Sequence, residues 1–172
     1  VVSLIELFFI NNLFIIVHCS IFNWICHPCG NKLSSLKECR CNEMEIQRYK
    51  GRLSEPFLDR IDLYLVMNDS FNDNKNVVTS EELHKSVIEA FVRQKQRGQV
   101  ELNGKLSDED IKKYCILDEE SKNILEKARI NYALSFRSIN KILKVARTIG
   151  DINGNEFIRK SDLLKSLNFR RR

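Results

Sequence analysis

The chain holds 172 residues, 30% of them charged, with a net charge of +5, six Gly and two Pro. That is the composition of a soluble, helix-rich domain or part of a larger one, and it excludes a low-complexity chain. A charge of this size permits contact with nucleic acid without arguing for it.

Residues 1–26, VVSLIELFFINNLFIIVHCSIFNWIC, are unlike the rest, with one acid, Glu6, and no Lys or Arg. The run is long enough for a membrane span. Against a span stand Asn11, Asn12, His18 and Asn23 inside it, and no basic stretch marks a signal peptide. Two readings rank above a membrane anchor: one or two buried strands built on FIIV, or a stretch that is not native coding sequence. The chain begins at Val1 rather than Met, which reads as a piece of a longer protein.

Four of the six cysteines crowd into CHPCGNKLSSLKECRC: Cys26, Cys29, Cys39 and Cys41. The remainder is rich in Lys and Glu, an intracellular character in which clustered thiols hold metal more often than they form disulfides. Zn²⁺ takes four such ligands in a tetrahedron, and His27 is a substitute for one of them. The pair Cys26-x2-Cys29 has common zinc spacing; Cys39-x-Cys41 is less usual. The expected role is a structural clip, since no acid beside these ligands suggests a general base. The competing reading is four reduced thiols on a surface loop.

Asn42 caps a helix running to Arg52, with Glu43 and Glu45 in its first turn and Arg48, Lys50 and Arg52 toward its end. In the alternating run Leu58–Leu65, Arg60 takes a place where a hydrophobe would be the easy choice. A buried or half-buried arginine needs an anion, either Asp59 or Asp62 or a group outside the chain. Ile61–Met67 alternates and predicts a strand; Asn68–Asn76 is a polar loop.

From Thr79 the pattern is helical. Thr79-Ser80-Glu81-Glu82 forms a capping box ahead of Leu83, Val87, Ile88 and Phe91, and that helix ends before Gly98. Ser107–Asp110 opens a short helix through Tyr114-Cys115, where Cys115 packs as a small hydrophobe. Asp118-Glu119-Glu120 opens a third, with Ile124, Leu125, Ala128 and Ile130 apolar. Ser135 caps a fourth, with Ile139, Ile142, Leu143, Ala146 and Ile149 as its apolar stripe. Arg137, Lys141, Lys144 and Arg147 lie off that stripe and read as a solvated basic face. Gly154 breaks the chain before a last helix from Ser161 to Leu167, with Leu163, Leu164 and Leu167 facing in. Four or five short helices with short loops predict a bundle.

EIQRYKGRLSEPFLDRIDL, the cysteine segment before it, and ALSFRSINKILKVARTIGDINGNEFIRKSDLLKSL together resemble the C-terminal half of magnesium-chelatase-like AAA+ ATPases of the YifB/ComM type. The likeness runs from about Cys26 to Phe169, and PFLDRIDL and KVARTIGDI are its specific parts. It implies a mainly α chain: a four- to five-helix lid bundle preceded by the last strand and helix of an α/β AAA+ core. The implied division is a hydrophobic segment over 1–25, the end of the core with its cysteine insert over 26–67, a linker over 68–78 and the lid over 79–172. It further implies a cytoplasmic, ring-forming motor, a hexamer by family habit, that uses ATP and Mg²⁺ to drive branch migration of DNA during uptake and transformation. Arg60, in LDRID, matches the family's arginine finger, and Arg137, in SFRS, its sensor-2 arginine.

The family's phosphate loop, G-x-x-x-x-G-K-[ST], and its acidic Mg²⁺-binding strand do not occur in this stretch, so it is not expected to hydrolyse ATP alone. The family's sensor-1 Asn has only Asn23 as a counterpart, and His27 stands at the first Cys of its CPCG unless Cys26 fills that role. Two other readings remain. One is a magnesium-chelatase subunit that drives metal insertion into a porphyrin. The other is a non-catalytic zinc-knuckle and helix-bundle module that binds DNA or protein.

Overall fold

A computed structural model describes residues 29, 38–52, 54, 56, 60–64 and 78–170. They fall into two units, one within residues 18–75 and the other within 76–170. The readings of residues 1–25 and of the polar loop 68–76 lie outside the described residues.

In the first unit α1 spans Glu43–Lys50 and starts as its sequence predicts. The Asn42 side chain accepts from the Glu45 N–H at 2.9 Å, and the Glu45 carboxylate accepts from the Asn42 N–H at 3.0 Å. The predicted strand is not seen in its described part: Ile61–Tyr64 lies outside any helix or strand. A strand is defined by a paired neighbour, which local alternation cannot supply. Residues 65–67 lie outside the described residues.

The second unit holds α2 (Ser80–Gln96), a short 3-10 turn (Asn103–Lys105), α3 (Asp108–Tyr114), α4 (Glu119–Asn131), α5 (Phe136–Ile152) and α6 (Lys160–Asn168). Thr79, Ser107, Asp118 and Ser135 cap α2 to α5 in turn, each accepting from the backbone N–H three residues on. These bonds satisfy donors that a helix start leaves open, at about 1 kcal/mol each. Both α2 and α5 end in the same reversal. Gly98 and Gly154 adopt φ +78° and +73°. Gln99 then donates to the Gln94 carbonyl at 3.3 Å and Asn155 to the Gly150 carbonyl at 2.8 Å. That left-handed step costs glycine little. Helix α4 ends likewise on Ala133 at φ +46°, where a side chain makes the step cost about 1 kcal/mol.

Helix α5 is central, packed against α2, the 3-10 turn, α3 and α6, while α4 packs on α6. The core joins Ile142 and Ala146 of α5 with Leu106, Ile111, Tyr114, Leu134 and Leu163, and with Ile158, which bridges Leu117 in parallel. Cys115 belongs to this core, and burial pushes its thiol up to about 11. Leu164, expected to face in, is 43% exposed, and the apolar Ile130 is 68% exposed. Ile130 follows Ala128 by two residues, about 200° around the helix, so burying one exposes the other. On α6 the buried face is Asp162, Leu163 and Ser166, and Leu164 falls off its edge.

The larger correction concerns Arg147, which is fully buried rather than part of a solvated face. Because α5 is packed on several sides, its buried arc is wider than one apolar stripe and takes in Arg147, Gly150 and Asp151. The guanidinium donates from Nε to Asp151 Oδ1 at 3.1 Å. Its Nη1 and Nη2 donate to the carbonyls of Glu156 and Asn155 at 2.7 and 2.5 Å. Those carbonyls arrive there because the Gly154 reversal folds the chain back along α5. Asp151, also fully buried, further accepts from Arg97 and from Asn103 Nδ2, the latter at 2.7 Å. The Asp151 carbonyl accepts from Arg93 at 2.6 Å. One acid therefore ties α2, the 3-10 turn and α5 together. Gly150 leaves the room: a Cβ there would sit 3.2 Å from Arg147 Nη2 and 3.4 Å from Asp162 Oδ2.

Removing one partner of a buried ion pair strands the other. Asp151→Ala is expected to lower unfolding stability by about 3–5 kcal/mol in urea titrations, and a loss below about 1 kcal/mol would show that the network carries little. A second outcome concerns pH. The Asp118 carboxyl lies below its ordinary value of 3.8 because the Ser121 side chain and backbone hydrogen-bond its ionised form. A depressed acid contributes stability above its unfolded value and loses it as pH falls through the folded one. Asp118→Asn keeps a capping acceptor but not the charge. The gap between the unfolding midpoints of the two proteins is expected to hold steady near about pH 6 and to shrink toward about pH 3.

Candidate functional site

Three cysteines of the first unit converge. Cys29 lies in a turn, and Cys39 and Cys41 lie in the non-helical run into the α1 cap. Their Sγ atoms all lie within 4.8 Å of one another, with Cys29 and Cys39 3.7 Å apart. Thiolates at about 2.3 Å from a tetrahedral zinc stand about 3.8 Å apart, so the arrangement fits such an ion. A disulfide needs about 2.05 Å, and none of the three cysteines is in one. A single residue separates Cys39 from Cys41 within that non-helical run, and both still reach the cluster. Cys26 and His27, the other candidate ligands, lie outside the described residues. Desolvation, followed by the hydrogen bond with Cys29, pushes the half-buried Cys41 thiol up to about 11. Ionising such a thiol calls for a cation, which a bound metal supplies.

Arg60 is exposed rather than buried, and its Nη1 donates to the Pro56 carbonyl at 2.8 Å. A short local bond meets part of the guanidinium's needs where burial would have demanded an acid. Asp62 is exposed two residues on, and Asp59 lies outside the described residues.

Arg137 occupies the first turn of α5 and is exposed. Ser135 Oγ accepts from the Ser138 N–H at 3.2 Å, which fixes where that turn begins. Among the described residues, each of the other five α-helices carries an acid in its first turn, and α5 carries none. Within α5 itself the positive end therefore carries a guanidinium and no carboxylate, while Asp108 of α3 accepts from Asn140 Nδ2 at 2.7 Å. Phe136, just before it, is 63% exposed. Arg60 and Arg137 belong to different units of the chain. Sequence reasoning read Arg147 as solvated; the signal for its burial was the Arg147-x3-Asp151 spacing beside Gly150, which places opposite charges on one helix face.

Residues 78–170 match the family described as magnesium chelatase, subunit ChlI C-terminal, and residues 16–75 match magnesium chelatase, subunit ChlI. The chain belongs to this magnesium-chelatase-like family, as a member of its YifB/ComM type. It is 37% identical over 136 residues to YifB of Escherichia coli strain K12 and 35% over 139 residues to YifB of Salmonella typhimurium. It is 34% identical over 136 residues to the competence protein ComM of Haemophilus influenzae. Each match covers 76% of this chain and 26–27% of the relative, so the chain spans about a quarter of the length of these relatives. The mostly helical second unit agrees with the helical lid of an AAA+ protein. Among the described residues no helix is long and apolar enough to cross a membrane.

Proposed function

We propose that the full-length protein is a cytoplasmic AAA+ ATPase that uses ATP and Mg²⁺ to remodel DNA as a branch-migration motor, and that this stretch supplies its arginine finger and lid. The observation that carries the reading is the start of α5, where Arg137 stands exposed in a first turn without acids. A cation there opposes the helix dipole by about 0.3–1 kcal/mol, and an anion such as a nucleotide phosphate turns that cost into binding. Arg137 is then the sensor-2 residue that contacts the nucleotide of its own subunit.

Arg60 is the finger. Its exposure leaves the planar fork able to reach the phosphate of ATP held by a neighbouring subunit in a ring, a hexamer by family habit. The bond to Pro56 holds the side chain close to its own backbone and limits the freedom lost on engagement. Charge developing on the transferring phosphoryl group is stabilised by such a guanidinium, and supplying it across a subunit boundary couples hydrolysis to assembly. The end of the core over 26–67, a linker over 68–78 and the lid over 79–172 is the division that suits these roles. The cysteine cluster is a structural zinc clip of Cys29, Cys39 and Cys41 with Cys26 or His27 as fourth ligand.

In the full-length protein, Arg60→Ala is expected to lower ATP turnover by about 10³-fold or more while nucleotide binding, followed by fluorescence, stays within a few-fold. Arg137→Ala is expected to weaken binding and turnover together. Unchanged turnover in either variant would remove that residue's role. Salt-sensitive DNA binding without ATPase activity would favour a non-catalytic binding module. Elemental analysis of the purified chain is expected to give about one zinc per chain, lost in Cys39→Ser; a metal-free, folded chain would refute the clip.

A further inference from the structure

The geometry points to a modification site within the thiol cluster: Cys29 and Cys39 form a dithiol that hydroperoxides convert to a disulfide, dismantling the cluster. Their Sγ atoms are 3.7 Å apart. Both residues are exposed, whereas Cys41 is half-buried. Closing to a bond of about 2.05 Å asks for movement of about 1.7 Å, within reach of a side-chain rotation. The neighbouring pair is less suited. Cys41 is half-buried, so a peroxide reaches it less readily than it reaches Cys29 or Cys39.

The chemistry balances with a hydroperoxide as the oxidant. One thiolate attacks a peroxide oxygen, the O–O bond breaks, and a sulfenic acid forms as hydroxide leaves. The second thiolate attacks the sulfenic sulfur; the S–S bond forms, the S–O bond breaks, and a second hydroxide leaves. Two thiols give up two electrons and two protons, and hydrogen peroxide becomes two waters. Where a zinc ion is held, the two thiolates leave its shell, solvent supplies the two protons, and an ion stripped of two ligands dissociates. That release rests on the zinc reading above; the disulfide does not.

The test treats the zinc-supplemented chain with hydrogen peroxide, maps disulfides by mass spectrometry of a non-reduced digest, and follows zinc with a chromogenic chelator. The expected result is a Cys29–Cys39 cross-link as the main product, reversed by dithiothreitol, with zinc released in step. The link is expected to persist in Cys41→Ser and to vanish in Cys39→Ser. A main product joining either residue to Cys26 or Cys41, or sulfinic acid without a cross-link, would overturn the assignment. Zinc bound but no cross-link removes the dithiol and leaves the clip standing. A cross-link in a chain that never held zinc removes the clip and leaves the dithiol.

Discussion

The second unit depends on a buried ion pair, Arg147 with Asp151. Both side chains are fully shielded from solvent, and burial pulls the Arg147 guanidinium below its ordinary value while the Asp151 charge pushes back. Isolated, either charge would cost several kcal/mol, roughly, in such a place. Together they are tolerable because the remaining donors and acceptors are used: two loop carbonyls on one side, Arg97 and Asn103 on the other. The network is directional where an apolar core is not. It accepts one placement of the α2 end, one of the 3-10 turn and one return of the chain after α5, which gives the bundle a single arrangement.

A second buried acid extends the same logic. Asp162 accepts from Asn153 and Asn155 at 2.8 and 2.9 Å and from the backbone N–H of Arg159 at 3.2 Å, so it closes the loop between α5 and α6 while serving the start of α6. Gly150 lies between the two acids' networks, and a side chain there would press on both. The C-terminal half of α5 is thereby held on several sides. Its N-terminal turn is the part left outward, and there the exposed Arg137 stands. On the proposed sensor-2 role of Arg137, this division anchors one end of the helix and turns the other outward.

The first unit relies on different means. Its helix α1 buries Ile46. A non-helical run feeds two cysteines into a cluster with a third, ten residues upstream of Cys39. The same proximity that suits a metal also suits oxidation.

Much of this was legible in the sequence. Asn42, Thr79, Ser107, Asp118 and Ser135 mark the helix starts because a cap acts within one turn, and a short-range bond needs no knowledge of the fold. Gly98 and Gly154 mark helix ends for a similar reason, since a positive φ is a property of one residue. The convergence of Cys29, Cys39 and Cys41 could be expected from four cysteines crowded into one short stretch. What the tertiary structure decided was which charges are buried. Arg147 and Arg137 both lie off the apolar stripe, yet one is sealed inside and the other faces outward. Burial of a polar face depends on how many neighbours a helix has, and that number is set by packing that no local pattern records.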